Sequence, residues 1–108
     1  MDAYQLVLNT CPDQETAQQL ADCIIDEKLA ACVNIIPGLL SIYEWQGQRE
    51  HGTEVLLLIK TRSDLYAELK TLICKLHPYE LPEIIALSIN DGLHAYLSWI
   101  SKQTKRPK

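Results

Sequence analysis

Ala31-Cys32-Val33-Asn34-Ile35-Ile36-Pro37-Gly38-Leu39-Leu40-Ser41-Ile42-Tyr43-Glu44-Trp45, then Gln46-Gly47-Gln48, then Thr53-Glu54-Val55-Leu56-Leu57-Leu58-Ile59-Lys60-Thr61, is the stretch that decides the fold. Its β-branched and aromatic residues read as two strands joined at Gln46-Gly47-Gln48, a long hairpin. Pro37-Gly38 sits badly in a central strand and predicts a bulge or bend. Val55 to Ile59 is apolar at both parities, so both faces of that strand expect cover.

Upstream of the hairpin, residues 3–9 (Ala-Tyr-Gln-Leu-Val-Leu-Asn) read as a strand. Pro12 is placed to be the first residue of a helix whose Ala17, Leu20, Ala21 and Ile24 repeat at i, i+3, i+4, i+7. Downstream, Ser63 is placed as the cap of a second helix with Leu65, Leu69, Leu72, Ile73 and Leu76 as its stripe. That helix has to stop at His77-Pro78, because a residue before proline disfavours the helical region. Residues 83–89 read as a fourth strand, Asn90-Asp91-Gly92 as a turn, and 93–102 as a final helix with Leu93, Leu97 and Ile100 on one face. The order β-α-β-β-α-β plus a helix predicts an α+β, ferredoxin-like sandwich, with two helices on one sheet face. The other face is left open and apolar, and the hairpin offers edges for pairing. Together they predict a homo-oligomer.

The chain has 108 residues, 47% hydrophobic and 22% charged, which is room for one domain with a core of its own. We expect a single domain over residues 1–102 and a flexible basic tail over 103–108. Lys102, Lys105, Arg106 and Lys108 hold four of the ten cations, so the body sets six cations against fourteen carboxylates. Such a body repels a phosphate backbone, and nucleic-acid binding is not expected. The longest apolar runs, Leu29–Val33 and Val55–Ile59, are far too short to span a bilayer, so no membrane partner is expected either. Met1-Asp2-Ala3-Tyr4-Gln5 carries neither a basic region nor an apolar stretch, so the cytoplasm is the expected address. Cysteines 11, 23, 32 and 74 show no metal-binding spacing and read as thiols, with Cys23 and Cys32 as small buried hydrophobes.

His77-Pro78-Tyr79-Glu80-Leu81-Pro82-Glu83 concentrates an imidazole, a phenol and carboxylates in a link stiffened by two prolines. His77 and Glu83 make a candidate N/O pair for a divalent metal. Glu54 and Lys60 share a face of the third strand about 20 Å apart, too far to pair within one subunit. Either is a solvated edge charge or one end of an intersubunit salt bridge. Tyr43 and Trp45 share a parity near the hairpin tip, which favours an interface there. His51 and His94 stand alone. No glycine-rich phosphate loop and no nucleophile with a base and an orienter is present, so no enzyme and no organic cofactor are expected.

Lys28-Leu29-Ala30-Ala31-Cys32-Val33-Asn34-Ile35-Ile36-Pro37-Gly38, Tyr43-Glu44-Trp45-Gln46-Gly47, Glu54 to Lys60-Thr61, and His77-Pro78-Tyr79 with Pro82-Glu83 closely resemble the CutA divalent-cation tolerance proteins. The resemblance runs from the first strand to Tyr96-Leu97-Ser98-Trp99. It implies a ferredoxin-like subunit in a homotrimer whose hairpins pair between neighbours, a link to tolerance of divalent metals, notably copper, and no enzymatic activity. The family's trimer is similar to that of the PII signalling proteins. A small anionic ligand held by Lys60 and the helix start at Pro12 is therefore the alternative, and a structural trimer anchoring a partner protein is a third reading. Some bacterial members carry a cysteine where this chain has Asn9 and a His-His pair where it has Leu76-His77. Cys11 would replace the first only if the strand end relaxed. Copper or another divalent metal is therefore expected to bind weakly or not at all. The intersubunit cleft is expected to involve Cys32, Trp45, Glu54, Lys60 and Tyr79, with His77 and Glu83 as metal ligands.

Overall fold

A computed structural model describes residues 2–108. Eight elements follow one another: β1 (Tyr4–Cys11), α1 (Gln14–Asp26), β2 (Cys32–Trp45), β3 (Gln48–Arg62), a 3-10 turn (Ser63–Leu65), α2 (Tyr66–Leu76), β4 (Ile84–Ile89) and α3 (His94–Gln103). The strands form one sheet in the order β2-β3-β1-β4, every pair antiparallel. This is the expected ferredoxin-like topology. Val7, Cys11, Leu57 and Ile59 on one sheet face meet Ala17, Leu20 and Ile24 of α1 and Leu69 and Ile73 of α2 in the core.

Several boundaries differ from the expected ones. Pro12 lies outside α1, and Asp13 caps it by accepting a hydrogen bond from the Thr16 amide at 2.7 Å. That bond holds the Asp13 carboxyl below its ordinary range. Ser63 caps nothing, because a 3-10 turn precedes α2 and the Ser63 hydroxyl donates to the Ala3 carbonyl instead. Cys23 is exposed and Cys32 only partly buried. The stripe of α1 runs through Ala17, Leu20, Ala21 and Ile24 and leaves Cys23 to one side. The helix stop before Pro78 is as read, with His77 extended at ψ 138°.

The hairpin is longer than its apolar pattern implied. β3 begins at Gln48, and Trp45 pairs with Gln48 across a two-residue turn in which Gln46 (φ 51°) and Gly47 (φ 80°) are both left-handed. This turn geometry matches the twist of paired strands. Residues 48–52 are polar, and hydrogen-bond pairing, not burial, makes them a strand. Between Ile36 and Leu39 the register shifts, with Gly38 at φ +81°. The bulge expected from Pro37-Gly38 is there.

α3 lies on the sheet face opposite α1 and α2. Tyr4 and Lys60 have the parity of that face, and Tyr4 Oη is 2.6 Å from Ser101 Oγ, while Lys60 Nζ sits 5.8 Å from the centre of the Tyr96 ring. Thr104, Lys105 and Arg106, in the stretch read as a flexible tail, make side-chain and backbone contacts where α3 ends. The buried Arg62 guanidinium donates to Thr104 Oγ1 and to the Lys105 carbonyl, Lys105 pairs with Glu68, and Arg106 pairs with Asp2. Beyond α3 the same face is uncovered, and Ile36, Ile85 and Leu87 are each more than two-fifths exposed.

One buried polar atom is orphaned. Gln5 Oε1 has no hydrogen-bond partner among the described residues. Gln5→Met, of similar shape, is therefore expected to leave stability unchanged or raise it by about 1 kcal/mol. Urea unfolding at fixed protein concentration checks this, and a clear loss would mean the amide is satisfied in solution.

Candidate functional site

The loop after α2 is built around His77. Pro78 ends the helix and turns the ring inward, where it is 8% exposed. His77 Nε2 lies 2.8 Å from the Thr10 carbonyl, to which it donates, and Nδ1 accepts from the Tyr79 amide at 3.1 Å. Both ring nitrogens are thus engaged, in the tautomer that carries its proton on Nε2. The ring packs against Tyr79 at 4.8 Å between centroids. Tyr79 in turn donates its hydroxyl to Glu54 Oε2 at 2.7 Å. Burial, and then that bond to a carboxylate, push the Tyr79 phenol far above its ordinary range, so it remains a donor.

The strand register brings the hairpin to the same place. Leu39 lies opposite Glu54, Tyr43 opposite Glu50 and Trp45 opposite Gln48, so Tyr43, Trp45 and Glu54 share one face. Between this face and the loop opens a cleft of about 600 Å³. Tyr43, Trp45 and Tyr79 form its aromatic walls, and Glu44, Glu54, Glu80 and Glu83 supply its carboxylates. Glu44 is already paired with Arg49 at 3.0 Å.

β1 runs two residues further than the apolar pattern implied, so Cys11 shares the parity of Asn9 without any relaxation of the strand end. Its thiol lies 3.8 Å from His77 Nε2 and donates to Asn9 Oδ1 at 3.4 Å. The trio has the composition of a cysteine-histidine-asparagine centre but not its electrostatics. Cys11 is fully buried, and burial followed by the charges of Asp13 and Glu54 pushes its thiol up to about 11. A thiol held that way carries little thiolate at neutral pH and is a poor nucleophile. Asn9 is itself committed, donating to the Glu83 carbonyl at 2.9 Å.

The candidate metal ligands do not come together in this chain. Among the described residues no three His, Cys, Asp or Glu side chains converge, and His77 has no free nitrogen. Glu83 and Glu54 line the cleft, but His77 is turned away into the thiol and backbone beneath it. Cys32 and Lys60 belong elsewhere, paired with each other across β2 and β3. Lys60 donates to Asn34 Oδ1 at 2.7 Å. The two features favouring an anionic ligand are spoken for, Lys60 by Asn34 and the start of α1 by its own Asp13 cap.

This combination of fold, hairpin and loop is a known one. A family model described as CutA1 divalent ion tolerance protein matches residues 5–103. The chain belongs to the CutA1 family. Its sequence is 47% identical over 100 residues to the divalent-cation tolerance protein CutA of Thermus thermophilus, covering 93% of this chain and 97% of that one. Its fold is similar to the crystal structure of CutA1 from Oryza sativa, with a TM-score of 0.94 at 43% identity over 96% and 95% of the two chains. It is also similar to the periplasmic divalent cation tolerance protein CutA of Archaeoglobus fulgidus, with a TM-score of 0.92 at 36% identity over 94% and 99%. CutA1 proteins are thus named for ion tolerance and not for a reaction. No helix among the described residues of this CutA1 chain is long and apolar enough to cross a membrane.

Proposed function

We propose that this chain is a non-enzymatic protein of divalent-cation tolerance, copper foremost, acting as a cytoplasmic homotrimer with its ligand held in the cleft between hairpin and loop. One observation carries the reading. The cleft opens on the same sheet face that is left apolar and uncovered beyond α3, beside a hairpin that outruns its own sheet. A neighbouring copy covering that face would also close the cleft, so assembly and ligand would share one surface. The donors facing the cleft are carboxylates and phenols, a set that grips copper less well than thiolate and imidazole would. The cytoplasm suits a chain whose four cysteines are all free.

Native mass spectrometry under reducing conditions, with and without copper, tests this. The expected result is a single trimer mass that loses added copper on mild desalting. A monomer overturns the assembly. Stoichiometric copper retained by the wild type and lost from His77→Ala overturns the weak site.

A further inference from the structure

We propose that the cleft selects an organic cation, an ammonium or guanidinium head on a short aliphatic stem. The inference rests on the reading that this cleft is the ligand site and names the chemistry it takes.

The lining has a consistent logic. Tyr43, Trp45 and Tyr79 supply three aromatic rings to the lining, a composition that suits a weakly hydrated cation better than an anion. Glu54, Glu80 and Glu83 add formal negative charge, and no lysine or arginine lines the space. Tyr79 orients Glu54 by occupying Oε2, which leaves Oε1 to receive a donor. Thr10, 5% exposed as a residue, lines the same cleft. About 600 Å³ lies within the usual range for small-molecule pockets. A bare metal ion fits poorly, since no three ligating side chains converge on a point. An extended cation with several N–H donors uses dispersed carboxylates and aromatic walls together. A lysine side chain of another chain has the same head as a free diamine, so the two sources are separated by experiment.

Isothermal titration calorimetry on the purified full chain would use cadaverine and agmatine, with 1,5-pentanediol as the neutral control of matching length. A lysine residue blocked at both ends stands in for a peptide side chain. Saturable binding of an amine, at least tenfold weaker in Glu54→Gln and in Trp45→Leu and not seen with pentanediol, is the expected result. Trp45 is 41% exposed in the single chain, and far-ultraviolet circular dichroism on each variant separates lost binding from lost folding. A free diamine binding better than the blocked lysine marks a small-molecule ligand, and the reverse order marks a docked side chain. Either order supports the cation site. Absence of saturable binding by every amine, or binding unchanged in both variants, overturns it. Copper titrated in parallel separates the two readings: copper bound without amines leaves ion binding standing and removes this inference, and amines bound without copper do the opposite.

Discussion

Arg62→Met lowers the stability of the fold by about 3 kcal/mol, the range found when one partner of a buried charged network is removed. The Arg62 side chain is 0% exposed and makes hydrogen bonds to three groups. It donates from Nε to Asp64 Oδ1 at 3.0 Å, from Nη1 to Thr104 Oγ1, and from Nη2 to the Lys105 carbonyl at 2.8 Å. Methionine preserves most of the volume, so the loss reports hydrogen bonds and charge more than a cavity. It leaves the Lys105 carbonyl without its donor, at the desolvation cost of an unpaired group. Thr104 keeps its own bond to the Ile100 carbonyl at 2.8 Å, and Asp64 is half exposed and returns to water, which caps the effect. Urea unfolding at fixed protein concentration measures it, since an oligomer's apparent stability depends on concentration. Residues 103–108 should also become sensitive to carboxypeptidase in the variant. A loss below about 1 kcal/mol, with digestion unchanged, would mean that the C-terminal segment is not held by Arg62 in solution.

Ile85→Lys combined with Leu87→Lys is expected to convert the proposed assembly to monomer. These two residues stand on the sheet face opposite α1 and α2, opposite Leu8 and Leu6 of β1, and each is 47% exposed in the single chain. On a monomer, charged residues at half-exposed edge-strand positions cost little and even protect against aggregation. At a packed interface each substitution forfeits about 1.5–3 kcal/mol of side-chain burial and adds an unpaired buried charge, once per subunit. The same pair of changes is therefore nearly silent or decisive according to what covers the face. Sedimentation velocity distinguishes the outcomes, with far-ultraviolet circular dichroism to confirm that the subunit still folds. A variant with unchanged sedimentation would remove this face from the interface and turn attention to Leu40 and Ile42, exposed on the protruding hairpin.

Much of this was legible before any coordinates. The i, i+3, i+4, i+7 spacing from Ala17 to Ile24 predicts α1, the apolar run at Val55–Ile59 predicts β3, and Pro78 dictates the stop of α2, since each signal acts within a few residues. Their order alone leads to the ferredoxin-like class, and two-sided apolarity in β3 raises the question of what covers the second face. The misplacements are equally local in origin. Asp13 and Pro12 compete for the same helix start, and a side-chain oxygen satisfies an amide where proline merely lacks one. Gln48–Gly52 has no apolar pattern because it extends beyond the core, so only its ladder partners reveal a strand.

The chemistry was another matter. Sequence alone singled out His77, Tyr79 and Glu83 from residue type and the rigidity of a two-proline link, and Glu54 from its parity with Lys60 on the third strand. Only the tertiary structure decided which way each one faces. It turned His77 inward, set Tyr79 on Glu54 of the hairpin, placed Cys11 against the imidazole and held Thr104 and Lys105 on Arg62. Those pairings join residues 25 to 66 positions apart. Periodicity and capping are short-range signals that determine elements. A site is made where elements cross, and that is set by how the sheet and helices pack.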